Sequence, residues 1–168
     1  PNRALVDSEL DLNAFQTLSF LNAFNKENND AIRPIGTTYL APMGIFSTKI
    51  TSLTDIKDGG KVTIPNDISN QGRALKLLET AKLIKLKAGA GDYATPDDVV
   101  ENPKKLEIIP MAANQLPPTL GDAEIAVINN GVAVESGYPL EKALFHEDDL
   151  AISYLNVIAA RTADKDNE

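Results

Sequence analysis

The segment Lys61–Arg73 reads KVTIPNDISNQGR, and its order of elements predicts the fold class of the chain. Lys61–Ile64 is rich in β-branched residues and is ended by Pro65, which is typical of a short strand. A polar loop follows, and apolar residues then recur at helical spacing over about Ser69–Leu86. A strand that leads through a polar loop into a helix is the repeating unit of α/β proteins.

The same alternation of elements continues on both sides of this segment. Glu124–Ile128 is an almost continuous apolar run, the pattern of a strand that is buried on both faces of a sheet. We therefore expect an α/β fold with parallel strand pairing. The other predicted elements are helices over 13–27, 95–102 and 132–136, and extended segments over 32–35, 39–45, 106–110, 144–145 and 155–160.

Composition and charge exclude several classes of function. The 168 residues are 43% hydrophobic and carry a net charge of −8, which disfavours binding to nucleic acid or to an anionic membrane surface. The chain has no cysteine and a single histidine, His146, so disulfides, thiolate metal sites and histidine clusters are ruled out. No apolar run approaches the length of about 18 residues that a membrane-spanning helix needs. We expect neither a metal nor a cofactor.

Arg73 is the first candidate binding residue because it lies in the first turn of the predicted helix. Free backbone N–H groups and the positive end of the helix dipole attract anions there, so a cation is favourable mainly when an anion is bound. The planar guanidinium fits a ligand carboxylate. The alternative is that Arg73 pairs with Asp67 or Glu79, or that it is solvated.

Two further positions offer polar groups to a ligand. Asn129 follows a predicted buried strand, where open α/β sheets bind ligands; the alternative is a turn that uses Asn and Gly for positive φ. His146 precedes Glu147, Asp148 and Asp149 and can act as a base or a metal ligand; the alternative is a solvated acidic loop. No phosphate-binding glycine loop and no GxSxG nucleophile motif is present, so the residues do not predict an enzyme.

Seven short motifs follow one another along most of the chain: DLNAFQ at 11–16, YLAPMG at 39–44, IPND at 64–67, NQGRAL at 70–75, ENP at 101–103, QLP at 115–117 and AVIN at 126–129. Together they resemble the NlpA lipoprotein family, the methionine-binding substrate-binding proteins of ABC importers. The resemblance extends from about residue 2 to residue 161 and is far more specific than any single feature above.

The resemblance implies a type 2 periplasmic-binding-protein fold, with two α/β lobes and a ligand cleft between them. Residues 1–45 would belong to lobe 1 and residues 46–130 to lobe 2, while residues 131–168 would return through the hinge to lobe 1. The family's first strand and helix, its signal peptide and its lipid-bearing cysteine would precede Pro1, and its final helices would follow Glu168. We therefore expect a fragment-like chain from an extracytoplasmic protein that a lipid anchors to the cell membrane.

The resemblance also assigns roles to particular residues. In this family an arginine holds the carboxylate of the ligand, and this arginine matches Arg73. Asparagines that hold the amino-acid head group match Asn129 and Asn156. Aromatic residues that contact the side chain of methionine match Phe15 and Phe20.

The chain departs from the family pattern near the expected pocket. Many members have His where this chain has Thr17, which we therefore also expect to bind the ligand, and Tyr where it has Phe20. Gly131-Val132 also replaces a commoner Asn-Tyr. The expected ligand is therefore L- or D-methionine, a methionine-containing dipeptide or another small apolar amino acid.

We interpret the chain as a binding protein that hands a small ligand to the permease of an ABC transporter. One alternative is an enzyme on a similar fold, whose acid–base chemistry would depend on His146. Another is a surface protein for adhesion or protein binding that takes no transported ligand.

Overall fold

Four α-helices, eight short 3₁₀ helices and ten strands lie within residues 1–148 and 152–164, the part of the chain that this computed structural model describes. The helices are α1 (Asn2–Val6), α2 (Leu18–Glu27), α3 (Ile68–Thr80) and α4 (Asn130–Glu135). The strands are β1 (Leu12–Thr17), β2 (Ile32–Leu40), β3 (Gly44–Phe46), β4 (Lys61–Pro65), β5 (Lys85–Leu86), β6 (Val99–Glu101), β7 (Glu107–Met111), β8 (Ile125–Ile128), β9 (Phe145–His146) and β10 (Leu155–Arg161).

The chain divides into two units. Unit 1 comprises Pro1–Ala41 with Asp149–Glu168, and unit 2 comprises Pro42–Asp148. The sequence expectation instead places the changes of lobe after residues 45 and 130. The division differs because β3 pairs with both β8 and β9, and this sheet keeps β3 and the segment up to residue 148 in unit 2. The lobe boundaries that the resemblance implies stay a prediction.

Unit 1 is built on a three-stranded antiparallel sheet in the order β1-β10-β2. Its core consists of Leu5, Leu21, Ile32, Val157 and Ala159. The sheet contains Pro34 in β2, which lies at an edge of the sheet, where a residue without an N–H is tolerated. Because Pro34 does not interrupt β2, the predicted segment 32–35 extends to Leu40 as one strand. The predicted segment 39–45 is therefore divided between the end of β2 and the short strand β3.

Unit 2 is built on a five-stranded sheet in the order β7-β4-β8-β3-β9. The first three strands are parallel, as predicted, whereas β3 runs antiparallel to both of its neighbours. All four residues of β8 are buried, which confirms the prediction of a strand covered on both faces. This pairing brings the carboxyl ends of β4, β8 and β9 and the amino end of β3 together. The side of the sheet formed by these strand ends is the sheet edge of unit 2.

Helix α2 begins later than the predicted range 13–27, because the residues before Leu18 form strand β1. The inward-facing side chains of this strand are polar. Asn13 and Gln16 are buried, and their Nδ2 and Nε2 atoms donate to Oδ1 of Asn2 at 2.9 and 2.7 Å. A strand whose buried positions hold amides lacks the apolar alternation by which a strand is recognised in a sequence.

Helix α3 is shorter than the predicted range 69–86 and ends at Thr80. Lys82 adopts a left-handed backbone conformation with φ 61°, which takes the chain out of the helix. The next residues form β5, which pairs with β6, so the predicted helix over 95–102 is also wrong. Only Pro96–Asp98 makes a 3₁₀ turn there. The backbone N–H and C=O groups of two short strands can pair with each other whatever their side chains are. Neither segment therefore shows the apolar periodicity by which a strand is predicted.

The other predicted elements are confirmed to within two residues at each end. They are the strands over 61–64, 106–110, 124–128, 144–145 and 155–160 and the helix over 132–136.

Candidate functional site

The candidate site in unit 2 lies at the sheet edge where β4, β8 and β9 end. After β4, Asp67 caps α3, and its Oδ1 accepts the backbone N–H of Asn70 at 3.1 Å. Asn129 follows β8, and Glu147 follows β9. Open α/β sheets bind ligands at such an edge because helix N-termini and loop groups converge there.

Arg73 is a buried cation with 3% of its surface exposed. It lies in the second turn of α3, which begins at Ile68, so the prediction that it lies in the first turn is wrong. Its guanidinium forms a bidentate ion pair with Glu147, in which Nε donates to Oε1 at 2.8 Å and Nη2 donates to Oε2 at 2.6 Å. The expectation that a solvated Arg73 was possible is therefore wrong. Arg73 does form an ion pair, as the alternative expects, but the partner is Glu147 and not Asp67 or Glu79.

Glu147 corrects the interpretation of the sequence around His146. The Glu147 side chain is only 9% exposed, and its Oε2 also accepts the backbone N–H of Met43 at 2.7 Å. A solvated acidic loop is thus wrong at this residue, because the pairing of β9 with β3 draws it to the sheet edge. His146 is 41% exposed, and its Nδ1 lies 3.1 Å from the carboxylate of the exposed Asp148, as that interpretation expects. Asp149 lies outside the described residues.

Asn129 is the N-cap residue of α4 and has φ −60° and ψ 140°. Neither it nor Asn130 nor Gly131 has a positive φ, so the alternative of a positive-φ turn is wrong. The Nδ2 of Asn129 donates to Oδ1 of Asn70 at 2.8 Å. The Oδ1 of Asn129 is buried and has no hydrogen-bond partner among the described residues. An unpaired buried acceptor costs about 1–3 kcal/mol, so this atom favours a bound hydrogen-bond donor.

Gly72 allows the turn Gly91–Tyr93 to pack closely against α3 beside Arg73. A Cβ atom on Gly72 would lie 2.2 Å from the backbone oxygen of Asp92, far inside van der Waals contact. The turn Gly91–Tyr93 packs on α3 at this point, and an ion pair between Lys76 and Asp92 holds the two together. The glycine is thus required by packing at the start of the helix that carries Arg73.

Four of the predicted ligand-binding residues come together in unit 1. Thr17 and Asn156 are register partners in β1 and β10. The Oγ1 of Thr17 caps α2 by accepting the backbone N–H of Phe20 at 3.2 Å. The rings of Phe15 and Phe20 meet edge to face, with their centroids 5.8 Å apart, and 44% of Phe15 is exposed. This unit therefore presents an aromatic pair beside two polar residues.

Asn156 is buried in β10, and its Nδ2 donates to the backbone oxygen of Tyr39 at 3.2 Å. The hydroxyl of Thr38 in turn donates to the backbone oxygen of Asn156 at 3.3 Å. The side chain of Asn156 is thus tied to β2, while the backbone of the residue lies between β2 and β1.

Sequence reasoning missed two side chains of the site in unit 2. In the sequence, Asn70 stands out only as part of the motif NQGRAL, and Glu147 only as part of an acidic run. The position of Glu147 depends on the antiparallel pairing of β3 with β9, which local patterns do not register. A signal existed for Asn70, because it lies one helical turn before Arg73 and therefore on the same face of α3.

Two kinds of feature are absent from residues 1–148 and 152–164. No group of three His, Cys, Asp or Glu side chains is placed there to hold a metal ion. In the same residues no helix is both long enough and apolar enough to cross a membrane.

The whole chain, residues 1–168, matches the family model described as NlpA lipoprotein. The chain therefore belongs to the NlpA lipoprotein family, and the resemblance inferred from the seven motifs is confirmed.

Relatives of known name are similar along the full chain. It is 43% identical over 171 residues to the D-methionine-binding lipoprotein MetQ of Escherichia coli strain K12, a match that covers 100% of this chain and 63% of that protein. It is 39% identical to the probable D-methionine-binding lipoprotein MetQ of Pasteurella multocida, with 100% and 61% covered. The chain thus spans about three fifths of the length of the curated relatives it matches. Their names describe binding lipoproteins and not enzymes.

Solved structures agree with this relationship. Protein PG110 from Staphylococcus aureus is 46% identical with a TM-score of 0.95, and the match covers 100% of this chain and 68% of that one. A nutrient binding protein from Burkholderia cenocepacia bound to methionine is 44% identical with a TM-score of 0.96, and 99% and 70% are covered. These likenesses confirm the predicted α/β fold of the periplasmic-binding-protein type.

Proposed function

We propose that this protein is an extracytoplasmic substrate-binding protein that delivers methionine to the permease of an ABC importer. The ligand is L- or D-methionine or a dipeptide that contains methionine, and a lipid anchor holds the protein at the membrane. The names of the relatives and the methionine-bound structure from Burkholderia cenocepacia support this proposal. The assignment of residues 1–45, 46–130 and 131–168 to lobe 1, lobe 2 and the return to lobe 1 belongs to the same proposal.

The observation that carries the proposal is a buried cation and a buried unpaired acceptor at one sheet edge of unit 2. An α-amino acid at neutral pH is a zwitterion, so its site needs donors for a carboxylate and an acceptor for an ammonium group. Arg73 supplies charge-assisted donors, and Oδ1 of Asn129 supplies the acceptor. Glu147 fixes the plane of the guanidinium and balances its charge.

The aromatic pair in unit 1 suits the side chain of methionine. A thioether makes favourable contacts with aromatic rings, worth about 0.3–1.5 kcal/mol each. Phe15 and Phe20 form such a surface and remain partly exposed. We propose Thr17 and Asn156 as the polar ligand-binding residues beside it.

The test is calorimetric titration of the purified protein with L-methionine, D-methionine, glycyl-methionine and leucine. Two truncated analogues probe the head group: 4-(methylthio)butanoate lacks the ammonium group, and 3-(methylthio)propylamine lacks the carboxylate. We expect methionine to bind and each truncated analogue to bind at least about tenfold more weakly, because one charged hydrogen-bonding group is lost in each case. Leucine that binds as tightly as methionine would support the alternative of a general apolar amino-acid binder.

A matched pair of double variants tests the role of Arg73. In Arg73→Met/Glu147→Leu an apolar pair replaces the buried ion pair, an exchange that commonly leaves stability near that of the wild type. The control is Lys85→Met/Glu101→Leu, which removes an exposed ion pair from the same unit. We expect methionine binding to be lost in the first variant and kept in the second. Wild-type affinity in a folded first variant contradicts the assignment of Arg73.

A further inference from the structure

A chain of hydrogen bonds starts at the carboxylate of Asp67. An ionised carboxylate accepts hydrogen bonds and donates none. The hydroxyl of Ser69 donates to its Oδ1 at 3.1 Å, and Nδ2 of Asn70 lies 3.0 and 3.1 Å from its two oxygens. The side-chain amide of Asn70 therefore turns its NH₂ group towards Asp67.

The orientation of Asn70 determines the orientation of Asn129. Because the NH₂ group of Asn70 faces Asp67, its Oδ1 faces Asn129, where it accepts from Nδ2 at 2.8 Å. A rotation of the Asn129 amide by 180° would place two oxygens against each other. The Oδ1 of Asn129 is consequently the atom that stays buried without a partner among the described residues.

We infer that Asp67 and Asn70 are positioning residues that make Asn129 a hydrogen-bond acceptor and thereby select ligands with a protonated amine. The inference rests on the proposed function, since it requires that Asn129 contact the head group of the ligand. Without a carboxylate at position 67, both amides can rotate, and Asn129 then presents its NH₂ group as readily as its oxygen. An NH₂ group in that place cannot accept from an ammonium group.

The placement on α3 links the two ends of the ligand head group. Asp67, Asn70 and Arg73 follow one another at intervals of three residues, so the two helical side chains share a face of the helix. Asp67, the N-cap residue of the helix, thus also makes Oδ1 of Asn129 the atom that faces the ligand. Arg73 in the following turn supplies the cation. One short segment determines which end of a zwitterion is bound at which place.

The test compares the affinity for L-methionine with that for 4-(methylthio)butanoate, which lacks the ammonium group. Asp67→Asn keeps a good N-cap residue but removes the obligatory acceptor. We expect this variant to lose about tenfold in its preference for methionine, through weaker methionine binding and unchanged binding of the analogue. Asp97→Asn makes the same change at an exposed position of unit 2 and is expected to keep the wild-type preference.

A charge exchange provides the rescue. In Asp67→Asn/Asn70→Asp the new carboxylate at position 70 accepts from both neighbouring amides, so Asn129 again presents its oxygen. We expect the preference for methionine to return in this double variant. Asn70→Leu, which leaves the Asp67 cap in place, is expected to lose the preference as Asp67→Asn does and serves as the second variant if Asp67→Asn does not fold.

The outcomes separate the inference from the proposed function. Loss in Asp67→Asn or Asn70→Leu together with rescue in the exchanged variant supports the positioning role. An unchanged preference in the single variants overturns that role and leaves methionine binding intact. If the wild-type protein binds neither enantiomer of methionine nor glycyl-methionine, the proposed function and this inference both fall.

Discussion

The guanidinium of Arg73 and the carboxylate of Glu147 share two hydrogen bonds, although 74 residues separate them in the sequence. Both side chains are almost fully buried, so each charge has lost most of its hydration and depends on the other. The pair also joins α3 to the end of β9. The residue that we propose to bind the carboxylate of the ligand is therefore held in place by one from a distant part of the same unit.

The first prediction concerns this ion pair. Glu147→Gln removes the carboxylate charge that pairs with the buried guanidinium of Arg73, and we expect the free energy of unfolding to fall by about 3 kcal/mol. Urea denaturation measures the change. Glu141→Gln is the matched control, because that residue is exposed and its substitution should cost less than about 0.5 kcal/mol. Equal small losses in both variants would show that the buried pair contributes little.

The second prediction concerns the close approach at Gly72. Gly72→Ala places a methyl group against the backbone of Asp92, and we expect a loss of about 1–3 kcal/mol in the free energy of unfolding. Gly121→Ala is the control, since a Cβ there meets no atom within 4 Å. Thermal melting of the two variants beside the wild type gives the comparison. A Gly72→Ala protein as stable as the wild type would mean that the Gly91–Tyr93 turn moves away without cost.

The third prediction concerns pH. The ammonium group of Lys87 and the backbone N–H of Thr95 hold the pKa of Asp98 below its usual value of 3.8. A carboxylate whose pKa is lower in the folded state stabilises the fold above the unfolded-state pKa and loses that effect as the pH falls through the folded-state pKa. Asp98→Asn should thus lower the melting temperature at pH 7, and its difference from the wild type should shrink below about pH 4.

Asp97→Asn is the control for this measurement, because it makes the same change at an exposed neighbour in the same 3₁₀ turn. We expect its melting temperature to follow that of the wild type from pH 7 to low pH. A constant difference between Asp98→Asn and the wild type over that range would contradict the ionic origin of the effect.

Local chemistry explains why part of the candidate site was predictable. Arg73 lies in the second turn of a helix whose beginning the sequence predicts, and Asn129 follows a buried strand, so each has a signal in its own neighbourhood of the sequence. Glu147 has none, because its burial arises from the pairing of β3 with β9, which lie about 100 residues apart. Asn70 lies in a quoted motif, but its partner Asn129 is 59 residues away.

The same distinction holds for the fold. The strand Lys61–Pro65 and the start of α3 follow from β-branched residues, a proline and a capping aspartate. Strand β1 does not, because its buried positions hold amides that bond to Asn2, and α1 was not predicted at all. Polar groups that satisfy one another inside a protein replace the apolar pattern on which sequence prediction depends.

The most direct test of the central claim is native mass spectrometry of the protein with an equimolar mixture of L-methionine, D-methionine, glycyl-methionine, leucine and 4-(methylthio)butanoate. The account predicts one adduct at a ratio of one to one, with the mass of methionine or of glycyl-methionine, which is released on denaturation. A protein that stays free of any adduct, or that takes leucine or the butanoate as readily as methionine, would contradict the claim that Arg73 and Asn129 form the head-group site of a methionine-binding protein.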